Sequence, residues 1–234
     1  MTRILPLALL AFAAAATPAG AAERRYPVTD FDRIQVDGPY QVTVRTGLSS
    51  SARAEGSAAD LERISVEVQG RTLKVRPNRS AWGGYPGDRA GPVALSLTTR
   101  DVRAAAVTGS GGLEIDRAKG LRVDVSVSGS GRIGIGALDA DNLVIGLLGS
   151  GRIALAGRAK QFKATIQGTG DLAAAGLRAD DAQINAETAG RVALTAERTV
   201  KLRARGPGDV EIGGNATCTI DGDGAGAIRC GRAR

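Results

Sequence analysis

A tripeptide recurs through the second half of this chain at nearly constant spacing. Gly109-Ser110-Gly111 returns as Gly129-Ser130-Gly131 and Gly149-Ser150-Gly151, and then as Gly168-Thr169-Gly170. Looser copies follow at Thr188-Ala189-Gly190, Gly206-Pro207-Gly208 and Gly224-Ala225-Gly226. The steps between copies are 20, 20, 19, 20, 18 and 18 residues. A period of this length is far too short for a domain and matches one supersecondary unit of a repeat array. It excludes any fold whose core is built once from unrelated elements.

The residues between the tripeptides alternate. One coil presents Val123, Val125 and Val127 before the turn, the next Leu143, Ile145 and Leu147, and a third Phe162, Ala164 and Ile166. After the turns stand Leu113 and Ile115, Ile133 and Ile135, Ile153 and Leu155, and Val192 and Leu194. A period of two puts one set of side chains on each face of a strand. Because the registers repeat in every coil, the inward residues must stack in columns, and a coil buries its face only against its neighbours. The expected fold is therefore all-β: a single-chain β-solenoid, right-handed β-helix-like, with coils of about 18–20 residues. The glycines mark corners, where a Cβ would obstruct both the turn and the corner stacked above it. Seven coils would give a rod section roughly 30 Å long. Phrases such as Ala137-Leu138-Asp139-Ala140-Asp141 and Gly176-Leu177-Arg178-Ala179-Asp180 read as a third side plus a corner. No long segment of period 3.6 is evident.

Residues 101–230 carry the repeat. Residues 26–100 lack it but still alternate, at Ile34 to Val36, Tyr40 to Val44, Ile64 to Val68, Thr72 to Val75 and Val93 to Leu97. They form an irregular β-rich N-terminal part of the same unit, spanning 23–234 in all. Gln69-Gly70-Arg71 reads as a hairpin turn. Between Arg76 and Pro92 lies a Gly- and Pro-rich stretch with Trp82, the only Trp, and Tyr85. A protruding aromatic loop on a solenoid can serve as a contact site; the alternative is an insertion with no partner.

Residues 1–22 read as a secretory signal. A short basic start is followed by an apolar run from Ile4 to Ala16, and Ala19-Gly20-Ala21 offers the small residues for cleavage. The run is shorter than the roughly 20 residues that span a bilayer, and no later stretch is apolar enough to cross as a helix. The mature chain should begin near Ala22 or Glu23. The formal charge is +7, and loss of Arg3 leaves +6. An exported basic protein can meet anionic partners such as lipopolysaccharide, acidic glycans or phospholipid head groups. Here Arg and Lys are spread along the chain, and ordinary solvation explains them as well. Export and the scarcity of aromatics argue against nucleic acid.

Two cysteines, Cys218 and Cys230, lie near the C-terminus. Cys218 stands six residues before Gly224, as Leu143 does before Gly149. Cys230 stands four after Gly226, as Leu155 does after Gly151. Both occupy inward registers beside one corner, and in an oxidising compartment they are expected to form a disulfide closing the last coil.

The chain has no His, which removes the commonest general base and metal ligand. Ser110, Ser130 and Ser150 recur as a corner ladder, with no base beside them. Asp139 with Asp141 and Asp180 with Asp181 are the carboxylate pairs that a polysaccharide-acting enzyme would need. They fall on apparent turns without nearby aromatics. The dense Gly/Asp pattern of calcium-binding nonapeptides and the phosphate-loop pattern are both absent. No cofactor or metal is implied. The residues after the corners are Gly112, Arg132, Arg152, Asp171, Arg191 and Asp209, of which Arg152, Asp171, Arg191 and Asp209 should form an alternating outer charge ladder.

The opening Phe31-Asp32-Arg33-Ile34-Gln35-Val36-Asp37-Gly38-Pro39-Tyr40-Gln41-Val42-Thr43-Val44 resembles the putative auto-transporter adhesin head GIN domain family (DUF2807). So do Ile64 to Val68 with Thr72 to Val75 and the repeated Gly-Ser-Gly, in the same order. The resemblance covers residues 26–230. It implies an exported β-helical protein of the periplasm, envelope or cell surface, adhesin-like, with no catalytic residues to carry over. Its partner would be an envelope glycan, a lipid or a surface protein. The alternative from a different class is a β-helix enzyme acting on polysaccharide.

Overall fold

The computed structural model describes residues 22–78, 93–222 and 224–231. The apolar leader therefore lies outside the described residues. So do Trp82 and Tyr85.

Five long strands dominate: β9 (Gly112–Gly129), β10 (Arg132–Gly149), β11 (Arg152–Gly168), β12 (Asp171–Thr188) and β13 (Val192–Arg205). Each is nearly a whole coil, bent at its corners, and each pairs in parallel with the next. The register places Leu113, Ile133, Ile153, Leu172, Val192 and Val210 opposite one another in succession. All six are buried. A fully buried aliphatic side chain contributes about 1.5–3 kcal/mol. A coil of this size could not supply that burial alone, so stability is shared between neighbours.

Each coil has three sides. In β10 the first side buries Ile133 and Ile135, the second Leu138 and Ala140, and the third Leu143, Ile145 and Leu147. The second side is where coil length varies. The register shifts between Ile135 and Leu138, and again between Ala154 and Ala156, which absorbs the 19-residue step. On the third side Phe162 lies between Leu143 and Ala182 in one column. A large side chain beside a small one fills the layer without a void.

The N-terminal region continues the stack out of chain order. Strands β2 (Arg33–Asp37) and β3 (Gln41–Thr46) flank a corner at Gly38-Pro39-Tyr40. This corner docks on the one at Gly109-Ser110-Gly111: Gly38 N donates to Thr108 O (2.9 Å) and Gly112 N to Tyr40 O (2.9 Å). It is an earlier member of the same series, hidden because a buried Tyr stands where later corners have a second Gly. β8 (Ala104–Gly109) lies between β2 and the end of β9. β6 (Thr72–Pro77) and β7 (Ala94–Thr99) add the next layer on β2 and β3.

Antiparallel strands end the stack. β5 (Ile64–Gln69) pairs with β6 through the Gly70 turn, β4 (Ser51–Gly56) with β7, and β1 (Ala22–Tyr26) with β4. One short helix, α1 (Ala58–Glu62), joins β4 to β5, with Asp60 N donating to the Ser57 side chain. Five residues are too few to register as a helical period, so the sequence reading has no helix there. At the other end come β14 (Val210–Gly214), β15 (Thr217–Asp221) and β16 (Ile228–Cys230). A disulfide joins Cys218 to Cys230, with Cα atoms 6.5 Å apart. The stack amounts to about six turns, one fewer than the tripeptides suggest, because only the three-residue β16 follows the weakest copy.

Candidate functional site

The interior of the solenoid is filled with apolar side chains, with Asp32, Thr99 and Thr188 the buried polar exceptions among the described residues, so the polar groups that could meet a partner lie on the outside. Three outward surfaces carry polar groups.

The first is the corner edge. Ser110, Ser130 and Ser150 are exposed, and the corner backbone carries the hydrogen-bond ladder from coil to coil. Ser130 N donates to Gly109 O and Ser150 N to Gly129 O, both at 3.0 Å. At the fifth corner of the repeat, Thr188 replaces the first glycine. Its buried hydroxyl accepts from Gly190 N (2.9 Å) and donates to Gly170 O (3.3 Å). Gly168, Thr169 and Gly170 continue the ladder, with Thr169 N donating to Gly149 O (2.9 Å). Next to this edge, Arg152 pairs with Asp171 at 2.8 Å. The Asp171 carboxylate also accepts from Arg191 N (2.9 Å). That backbone bond, with the Arg152 guanidinium, holds its pKa below the usual carboxylate value. Arg132 reaches Gln41 instead (2.8 Å), and Asp209 accepts from Ala227 N (2.9 Å). Within this ladder Arg152 and Asp171 pair charge to charge, whereas Arg132 and Asp209 are held by a neutral amide and a backbone N–H.

The second surface is an open depression of about 970 Å³ along the second side, lined among others by Lys119, Leu121, Asp139, Asp141, Arg158 and Lys160. It gathers three of the four aspartates that the sequence marks as carboxylate pairs, and all are engaged. Arg158 grips Asp139 with two nitrogens at 2.9 and 3.0 Å. Lys160 pairs with Asp141 at 2.7 Å. Arg198 reaches Asp181 at 2.7 Å and Asp180 at 3.7 Å. The Arg158 hydrogen bond lowers the Asp139 pKa, and Asp141 raises that of Lys160. A proton donor for glycoside cleavage needs the opposite shift. This depression can hold polar groups by charge and hydrogen bonds, and Arg158 favours the ionised form of Asp139.

The third surface is the outer face of the third side. Its columns follow from the register: Asn142, Gln161, Asp181, Thr199; then Val144, Lys163, Gln183, Lys201; then Gly146, Thr165, Asn185, Arg203. A smaller depression of about 550 Å³ lies here. The inward residues of these strands are legible from alternation, but the polar columns between them emerge only once the coils are laid in register. Of these residues only Asp181 stands out in the sequence, as a member of a carboxylate pair.

Comparison with known proteins places this architecture. The profile of the putative auto-transporter adhesin, head GIN domain family matches residues 30–216. The chain belongs to the head GIN domain family. Among solved structures, a putative adhesin from Bacteroides fragilis NCTC 9343 is 20% identical to this head GIN protein, with a TM-score of 0.79, covering 89% of this chain and 95% of that one. A putative lipid binding protein from Parabacteroides distasonis ATCC 8503 is 19% identical, with a TM-score of 0.69 and coverage of 93% and 98%. A putative adhesin from Parabacteroides merdae ATCC 43184 is 17% identical, with a TM-score of 0.64 and coverage of 90% and 96%. At these identities the likeness shows a shared fold. No curated protein matches. Among the described residues no helix is long and apolar enough to cross a membrane.

Proposed function

We propose that this head GIN protein is an exported, non-catalytic, adhesin-like module that holds a partner of the cell envelope or surface on the outside of its solenoid. The observation that carries this reading is the division of labour between the two sides of each strand. Inward residues close the core, while outward residues form regular polar columns with about 4.8 Å between successive members. Such a surface offers many weak contacts over an extended area, which suits adhesion. Family membership supports the same role, as do the adhesins among the structural neighbours. The disulfide fits an oxidising compartment outside the cytoplasm. The engaged carboxylates of the larger depression favour binding over polysaccharide cleavage, because Asp139 is held ionised by Arg158.

The test is an array of envelope glycans, lipids and surface proteins probed with protein starting at Ala22, run beside an assay for new reducing ends or unsaturated sugars. Retention on a glycan, lipid or surface protein without product is the expected result. Release of product that disappears in Asp139→Asn would overturn the reading.

A further inference from the structure

We propose that the outer face of the third side is a docking surface for an acidic polysaccharide laid along the solenoid axis, held by Lys163 and Lys201 with the amides of Gln161 and Gln183. This rests on the binding-module reading above and names its ligand class.

Lys163, Gln183 and Lys201 stand in one column on consecutive coils, and all three are exposed. The two lysines are therefore about 9.6 Å apart, two strand spacings. Neither forms an ion pair among the described residues, while the cations around them do. Arg122 closes on Asp124, Lys160 on Asp141, Arg198 on Asp181 and Arg203 on Asp221. The one carboxylate lining this depression, Asp181, is bound by Arg198 and also accepts from the Thr199 hydroxyl at 2.7 Å. Two uncompensated positive charges thus stand in line beside a carboxylate that is already neutralised.

Gln161 and Gln183 are likewise exposed, and their side chains make no hydrogen bond among the described residues. A carboxamide both donates and accepts, which matches a sugar hydroxyl. Val144, half-buried in the lysine column, and the low Gly146 and Thr165 beside it leave a flat floor for a pyranose ring. In an extended polymer of alternating sugars the acid group returns once per disaccharide, a length close to two strand spacings. The axial arrangement favours such a polymer over a lipid surface, since the uncharged Gln183 separates the two cations and the apolar Val144 and exposed Leu148 of this face stand two columns apart. The larger depression fits an anion less well. Its four cations are balanced by four carboxylates, among them Glu197, whereas Arg122, Lys163 and Lys201 face Asp181 alone in the smaller one.

The experiment uses hyaluronan oligosaccharides, which carry one carboxylate per disaccharide, against the same oligosaccharides with the carboxyls reduced to alcohols. The protein starting at Ala22 is compared with the Lys163→Gln/Lys201→Gln double variant. Arg229→Gln, a single charge change on another face, serves as control. Expected is binding that weakens with salt, falls about tenfold in the double variant and stays within about twofold in the control, with the reduced sugars not retained. Equal binding by the double variant, or of the reduced sugars, would overturn this inference and leave the adhesin reading standing. Lysine-dependent retention on phosphatidylglycerol vesicles without hyaluronan binding would overturn it in favour of a lipid surface. Failure to retain any glycan, lipid or surface protein would remove both. Unchanged thermal unfolding of the double variant separates loss of binding from loss of fold.

Discussion

Replacing Gly149 by Ala tests whether the corner ladder is structural. Gly149 has φ of +108°, a region closed to residues with a Cβ, and holding one there costs about 1–3 kcal/mol. The added Cβ would lie 2.6 Å from the carbonyl oxygen of Gly129 in the preceding coil. That oxygen cannot move away freely, because it accepts from Ser150 N at 3.0 Å. Forcing a methyl into closed packing costs about a further 1–3 kcal/mol. The combined loss is about 2–6 kcal/mol, a large part of the roughly 5–15 kcal/mol that holds a domain. Urea unfolding followed by circular dichroism measures it. Ser150→Ala is the paired control: its side chain is exposed and makes no hydrogen bond among the described residues, so it should shift stability by less than about 0.5 kcal/mol. A Gly149→Ala loss no larger than that of Ser150→Ala would refute the reasoning. A Ser150→Ala variant that folds normally but loses its partner would show that the ladder serves binding.

Ile153→Asp buries a carboxylate in a fully enclosed column and should prevent folding at ordinary temperature, whereas Arg152→Ala should cost less than about 1 kcal/mol. Equal losses in urea melts would mean the register is wrong. Removing the disulfide with Cys218→Ser/Cys230→Ser should lower stability by about 3 kcal/mol, the chain-entropy value for a short loop, with a sequence separation of 12 here. Non-reducing peptide mapping that found two free thiols would sink this prediction. Asp171 has a folded pKa below its unfolded value, so its pairing stabilises above the ordinary carboxylate range and is lost as pH falls through the folded value. The stability difference between wild type and Asp171→Asn, under about 1 kcal/mol because the pair is exposed, should hold from neutral pH to about pH 4 and shrink below it. A difference that persists at lower pH would contradict it.

Period and alternation alone determined the solenoid, its coil length and its inward residues. In a stacked fold each coil repeats the same local constraint, so Ile133, Ile153 and Val192 announce one column without any knowledge of the whole. The cysteine registers were legible for the same reason. Tertiary structure decided what lies between coils distant in sequence or irregular in length. The Gly38-Pro39-Tyr40 corner joins the ladder across 70 residues of chain, because β2 and β3 enter the stack ahead of two layers that follow them in sequence. A buried Tyr disguises it. The second side changes length from coil to coil, so its lining could not be aligned by counting, and the ion pairs that engage Asp139 and Asp141 became visible only in register. The same holds for the face with Lys163 and Lys201. Outward residues obey no hydrophobic rule, and only the stacking of the coils brings two lysines 38 positions apart into one line.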